Sequence, residues 1–156
     1  MSLTSPLVIG GITAIEVLAD DSLSTSAKSV THNAFSESAT PSPATMLSAK
    51  VYTLGTGAAT IDLRALYGVG GSVQDANGLK VQGIFIKNLG ANVMTFTAGA
   101  SNGYEIFGAS GSVAVQPGAF LVMSFADGSP DVASGDKTID VAGTGSQTFE
   151  CAIILG

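Results

Sequence analysis

The sequence predicts an all-β domain, a sandwich or barrel of roughly eight to ten short strands. Three observations lead there. From Leu79 to Leu155, β-branched and aromatic runs alternate with breaks rich in Gly, Asn and Pro-Gly. Gly, Ser and Thr together make up a third of the 156 residues. Charged residues are only 12% of the chain against an apolar share of 46%, about half the usual charged fraction. This is a turn-rich, small-residue, low-charge composition.

Ile12 to Leu18 reads as a first strand, with a short helix as the alternative because Ala, Glu and Leu favour one. A polar stretch from Asp20 to Ser29 leads to a second strand over Ala27–Phe35. Pro41 and Pro43 mark a loop, since proline donates to no ladder and continues no helix. Met46 to Leu54 is a strand with Ala49, Val51 and Thr53 on one face. In the segment after Gly57, Ile61, Leu63 and Leu66 share one side of a strand or a helical turn. Asp62 and Arg64, two apart, suit a local salt bridge or a turn brace. Asn77-Gly78 is a turn signal. The run from Val81 to Gly99 reads as two strands around a tight Asn88-Leu89-Gly90 turn, with Gly83 marking a bulge. The run from Val113 to Phe125 reads as two more around Gln116-Pro117-Gly118, a type II turn in which Pro sets φ and Gly accepts a positive one. Lys137–Val141 is a short strand, Gly143-Thr144-Gly145 a turn, and Gln147–Leu155 the last strand.

A chain of this length suits one domain with a substantial core, here an N-terminal arm with the first strands over 1–45 and a β-sandwich over 46–156. With so few charges, the surface must consist of Ser, Thr, Ala and Gly, or be partly hidden in an oligomer. The net charge of −6 leaves six bases, Lys28, Lys50, Arg64, Lys80, Lys87 and Lys137, scattered singly. No basic stripe exists to neutralise phosphates, so nucleic acid is not an expected partner. No apolar run reaches the roughly 18 residues of a membrane-spanning helix. The apolar N-terminus has no base before it and is broken by Gly10-Gly11, which makes a poor signal peptide, so synthesis in a cytoplasm is the simplest account.

Reactive chemistry is sparse. Cys151 is the sole cysteine, which excludes an internal disulfide, and its alternating segment suits a buried, inert thiol. His32 is the sole histidine, so zinc has no ligand set, and no G-x-S-x-G nucleophile motif is present. The Gly68–Gly71 loop lacks the following Lys-Ser/Thr of a phosphate-binding loop. Glu16, Glu37, Glu105 and Glu150 lie in different regions without aromatic company, so no acid/base pair is read from them. Asp127, Asp131 and Asp136 share one loop region and are the candidate ligands for a hard cation such as calcium. They do not follow the D-x-D-x-D-G pattern, and Asp is common in turns for its backbone hydrogen bonds, so no metal and no cofactor is assigned. Without Trp, a glycan platform would have to use Tyr52, Tyr67 and Tyr104. The expectation is a non-enzymatic protein.

The succession Lys87-Asn88-Leu89, Ala91-Asn92, Tyr104–Gly108 and Val113–Gly118, followed by a last strand, resembles the small jelly-roll structural proteins of tailed-phage virions, over about residues 45–156. The resemblance implies a jelly-roll-like antiparallel β-sandwich with an extended N-terminal arm, acting as a capsid decoration subunit. Such a subunit would bind the major capsid protein on the outer head surface, stiffen the shell and assemble as a homotrimer. The arm would then carry the capsid contact, with Leu7, Val8, Ile9 and Ile12 as its apolar patch. The alternative is a ligand- or glycan-binding head-fibre or tail-associated module.

Overall fold

The computed structural model describes residues 6–18, 28–40, 43–68, 71–125 and 128–156, and for 12–18 and 28–37 the backbone alone. Twelve strands follow in order: β1 Val8–Leu18, β2 Lys28–Ala39, β3 Met46–Thr53, β4 Ala58–Asp62, β5 Leu66–Tyr67, β6 Val73–Gln74, β7 Val81–Asn88, β8 Met94–Ala98, β9 Ser112–Val115, β10 Phe120–Ser124, β11 Thr138–Ala142 and β12 Thr148–Leu155. No α-helix occurs among the described residues.

Eight of these strands make two four-stranded antiparallel sheets, ordered β10-β7-β12-β3 and β4-β11-β8-β9. The pairs are nested: β3 with β12, β4 with β11, β7 with β10, and β8 with β9. It is the pairing of one long hairpin rolled up until its two arms lie in both sheets, which is the jelly roll. The expected all-β, jelly-roll-like sandwich is therefore the observed fold. Alternation drives it locally. In β12 Phe149, Cys151, Ile153 and Leu155 are buried while Thr148, Glu150, Ala152 and Ile154 are not. In β4, β8 and β11 the inward residues Ile61, Met94, Phe96, Ile139 and Val141 complete one core between the sheets. Phe149 spans that core, stacked on Tyr52 at 5.2 Å and edge-on to Phe96 of the other sheet at 5.3 Å and 89°.

Two sequence expectations need correction. Asn88-Leu89-Gly90 and Gln116-Pro117-Gly118 do turn the chain, and Gly118 has φ +73° with the Ala119 amide bonded to the Gln116 carbonyl. Neither closes a hairpin. β7 and β8 lie in different sheets, as do β9 and β10. Each turn carries the chain from one layer to the other, so the flanking strands pair with partners distant in sequence.

Asn88 braces both crossings. Its fully buried side chain donates from Nδ2 to the Asn92 and Val115 carbonyls, at 2.8 and 2.9 Å, and accepts the Gly90 amide at 2.8 Å. Asp62 and Arg64 follow one of their two expected readings, the turn brace. Arg64 pairs with Asp75 at 2.8 Å, which holds that carboxyl below its ordinary range, mainly through the hydrogen bond. Asp62 instead accepts the Arg64 backbone amide and the Lys137 ammonium. It is the turn brace and not the local ion pair.

The bulge expected at Gly83 is present: β12 places Ile154 opposite Gly83 and Leu155 opposite Val81. Tyr104–Gly108 is a loop segment, with Tyr104 fully buried. The Tyr104 hydroxyl donates to the Pro130 carbonyl and accepts the Val81 amide, tying that loop to the start of β7. Within the arm, β1 and β2 pair with each other over their whole length, with a register shift at Ile12/Thr13. Eleven residues of β1 make a ribbon roughly 36 Å long. Its base lies beside β10, where Val8, Gly10, Ser38 and Ala39 meet Val122 and Ser124.

Candidate functional site

An antiparallel sandwich ordinarily turns polar side chains outward, and one of these sheets does. On the β4-β11-β8-β9 sheet, Thr60, Asp140, Thr97 and Ser112 stand in one outward row across the four strands, with Ala58, Ala142, Thr95 and Ala114 in the next. Thr60 donates to Asp140, which also accepts the Ala100 amide. The side chains of these rows are small, hydroxyl-bearing or alanine, with Asp140 their one charge.

The outward face of the other sheet is different in kind. Register places Val122, Phe85, Ala152 and Ala49 in one row, and Gly83, Ile154 and Leu47 beside Ser124 in the row before it. The next row reads Phe120, Lys87, Glu150, Val51. Lys87 and Glu150 are the only charges pointing outward from these four strands. Phe120 is 66% exposed, Val51 53% and Leu47 39%, and Phe120 stacks on Phe85 at 6.2 Å. Four strands therefore present a nearly continuous apolar plane.

The N-terminal segment crosses part of that plane. Pro6 to Ile9 lines a groove of about 470 Å³ with Leu47, Gly83, Phe85, Val122, Ala152 and Ile154. Gly83 permits the approach: a Cβ there would stand 2.8 Å from Val8 Cγ2. Val8 thus faces the sheet, while Leu7 and Ile9 are 54% and 58% exposed. A second groove of about 380 Å³ lies open over Ala49, Lys50, Val51, Phe85, Glu150 and Ala152. Of the apolar residues expected to carry a partner contact, Leu7, Val8 and Ile9 come together on this face. Ile12 lies in β1 opposite Phe35, and its side chain is outside the described residues.

The remaining candidates do not converge. Asp127 lies outside the described residues. Asp131 sits 4.0 Å from Lys80, Asp136 is exposed in a tight turn with Ala133, and no group of three potential metal ligands forms among the described residues. Burial pushes the Cys151 thiol up to about 12, which leaves it un-ionised near neutrality. Burial, then Cys151 and Tyr67, push the Tyr52 phenol to about 12 as well. The three tyrosines make no open platform: Tyr104 is in the core, Tyr52 is stacked inside, and Tyr67 packs under the Lys50 ammonium at 3.5 Å. The side chain of His32, in β2, is outside the described residues.

The apolar plane is what sequence reading missed, and a signal for it existed. Ala152-Ile153-Ile154-Leu155, Phe120-Leu121-Val122-Met123 and Ile84-Phe85-Ile86 are unbroken apolar runs. In a strand such a run makes both faces apolar.

The fold is an eight-stranded antiparallel jelly roll with a two-stranded ribbon, and one of its outer faces is an apolar plane. No family model matches the chain, and no curated protein matches its sequence. Among solved structures it is similar to the crystal structure of PirA, at 12% identity over 68% of this chain and 92% of that one, with a TM-score of 0.42. It is also similar to the coat protein of tobacco streak virus, at 11% identity over 70% of this chain and 85% of that one, with a TM-score of 0.40. At such low identities and TM-scores, neither likeness carries an argument about what this chain does.

Proposed function

We propose that this chain is a non-enzymatic structural subunit of a virion, a decoration-type protein on the outer head surface of a tailed phage that works as a homotrimer. The observation that carries this reading is the contrast between the two outer faces, one polar and one an apolar plane crossed by Pro6–Ile9. Surface of that kind is a contact surface. The supporting residues are Leu7, Val8 and Ile9, joined in sequence by Ile12, as the segment that meets the major capsid protein. The jelly roll is the rigid body that spaces and stiffens what it joins.

Co-sedimentation with empty capsids tests the reading. The full chain should pellet with shells, and a chain lacking residues 1–20 should stay in the supernatant while retaining its β-sheet circular dichroism. Full shell occupancy by the truncated chain would end the claim that the arm makes the contact. A full chain that never pellets with shells would end the decoration reading.

A further inference from the structure

We infer that the open part of the apolar plane, across β3, β12, β7 and β10, is where copies of this chain bind one another. This deepens the function proposed above and rests on its self-association, not on the virion. Three observations select a second copy as the occupant. The first is charge. The chain carries −6, so like copies repel over most of their surface. This face holds Lys87 and Glu150 in adjacent strands, with Lys50 lining the open groove; it carries none of the chain's excess negative charge, and Lys87 and Glu150 each have a complement on an identical face.

The second is the arrangement. Pro6–Ile9 occupies the rows around Gly83 and leaves the row Phe120, Lys87, Glu150, Val51 open, with the groove over Ala49, Val51 and Ala152 beside it. The third is area. The whole face, four strands of up to eight residues, spans about 19 Å by 27 Å, roughly 500 Å² in plan, and Pro6–Ile9 already covers part of it. A standard interface takes about 800 Å² of accessible surface from each partner. The open part falls below that, so association through it should be weak and should depend on concentration.

The variants Phe120→Glu and Val51→Lys, singly and together, remove the apolar surface without touching the core. Register favours both: Phe120 lies opposite Lys87 and Val51 opposite Glu150, so each new charge gains a cross-strand partner in the monomer. The double variant keeps the net charge at −6. Val73→Lys, at an equally exposed apolar residue on β6, is the control. Sedimentation equilibrium over a wide range of concentration should give the full chain a mass that is a multiple of 15.5 kDa. The double variant should raise the dissociation constant by about a hundredfold, with unchanged circular dichroism and with Val73→Lys like wild type.

A full chain that stays at 15.5 kDa throughout overturns the inference, as does a folded double variant that associates like wild type. Capsid co-sedimentation of the same proteins separates the two readings. An oligomer that ignores shells removes the virion role and leaves this surface standing, whereas a monomer that binds shells does the reverse.

Discussion

Replacing Asn88 should show how much of the fold hangs on one buried amide. In Asn88→Ala three hydrogen bonds vanish: two from Nδ2 to the Asn92 and Val115 carbonyls, and one to Oδ1 from the Gly90 amide. The Val115 carbonyl is left in a buried site, at a cost of about 1–3 kcal/mol. The Asn92 and Gly90 groups are part-buried and reach water more easily, costing about 1 kcal/mol each. The sum is about 3–5 kcal/mol, a large share of the roughly 5–15 kcal/mol that holds a domain of this kind together.

Asn88→Asp sharpens the test. Its carboxylate keeps the acceptor for Gly90 but turns a bare oxygen towards two carbonyls. Burial and those carbonyls raise the folded-state pKa above the unfolded value. The stability recovered by protonation is then fully present below the unfolded carboxylate pKa, and is lost as pH rises through the folded one. Urea denaturation followed by circular dichroism and tyrosine fluorescence, between pH 4 and 7, reads both effects. A cost below about 1 kcal/mol for Asn88→Ala, or an Asn88→Asp variant indifferent to pH, would refute the reasoning.

Phe149→Ala removes the ring that joins both sheets and should cost about 3–5 kcal/mol, measured in the same titrations; a loss under about 2 kcal/mol would mean the core closes over the gap. The Cys151 thiol should resist a disulfide reagent at pH 8 until urea unfolds the chain, and rapid native labelling would contradict its burial. Because folding raises that thiol from 9.0 to about 12, the stability it contributes is complete below its unfolded pKa. That contribution should drain away as pH climbs through the folded value, a trend that an alkaline denaturation series would show and Cys151→Ala would lessen. Gly83→Leu should drive Val8 off the sheet, costing about 1 kcal/mol and exposing Leu7–Gly10 to faster proteolysis. Unchanged cleavage there would place the segment elsewhere.

The strands and turns of this protein were legible because each rests on local chemistry: alternation in β12, Pro-Gly at 117–118, the bulge at Gly83. Sheet membership was not. Asn88-Leu89-Gly90 says where the chain turns, but whether β8 returns beside β7 or drops to the other layer depends on β11 and β12, far along the sequence. Asn88 itself reads as a turn residue, and only the crossing reveals it as a buried brace. The segment Leu7–Ile9 could be picked out for its apolarity. The unbroken apolar runs hinted at two-faced strands, but not at one plane, because Leu47, Phe85, Phe120 and Ile154 come from four strands that only the nested pairing brings side by side.

That nesting also fixes when the molecule can come into being. β12 lies between β3 and β7, and Leu155 pairs with Met46, a separation of 109 residues (155 minus 46). Until β12 has been synthesised, the first sheet lacks its middle, and β3 and β7 stand with open edges that any other strand could take. Closing so long a loop comes late and makes folding slow, which prolongs the time in which nascent copies can pair wrongly. The interlock that makes the finished fold hard to unravel therefore makes its birth the most hazardous moment of its life, and yields of folded protein should fall steeply as synthesis is crowded.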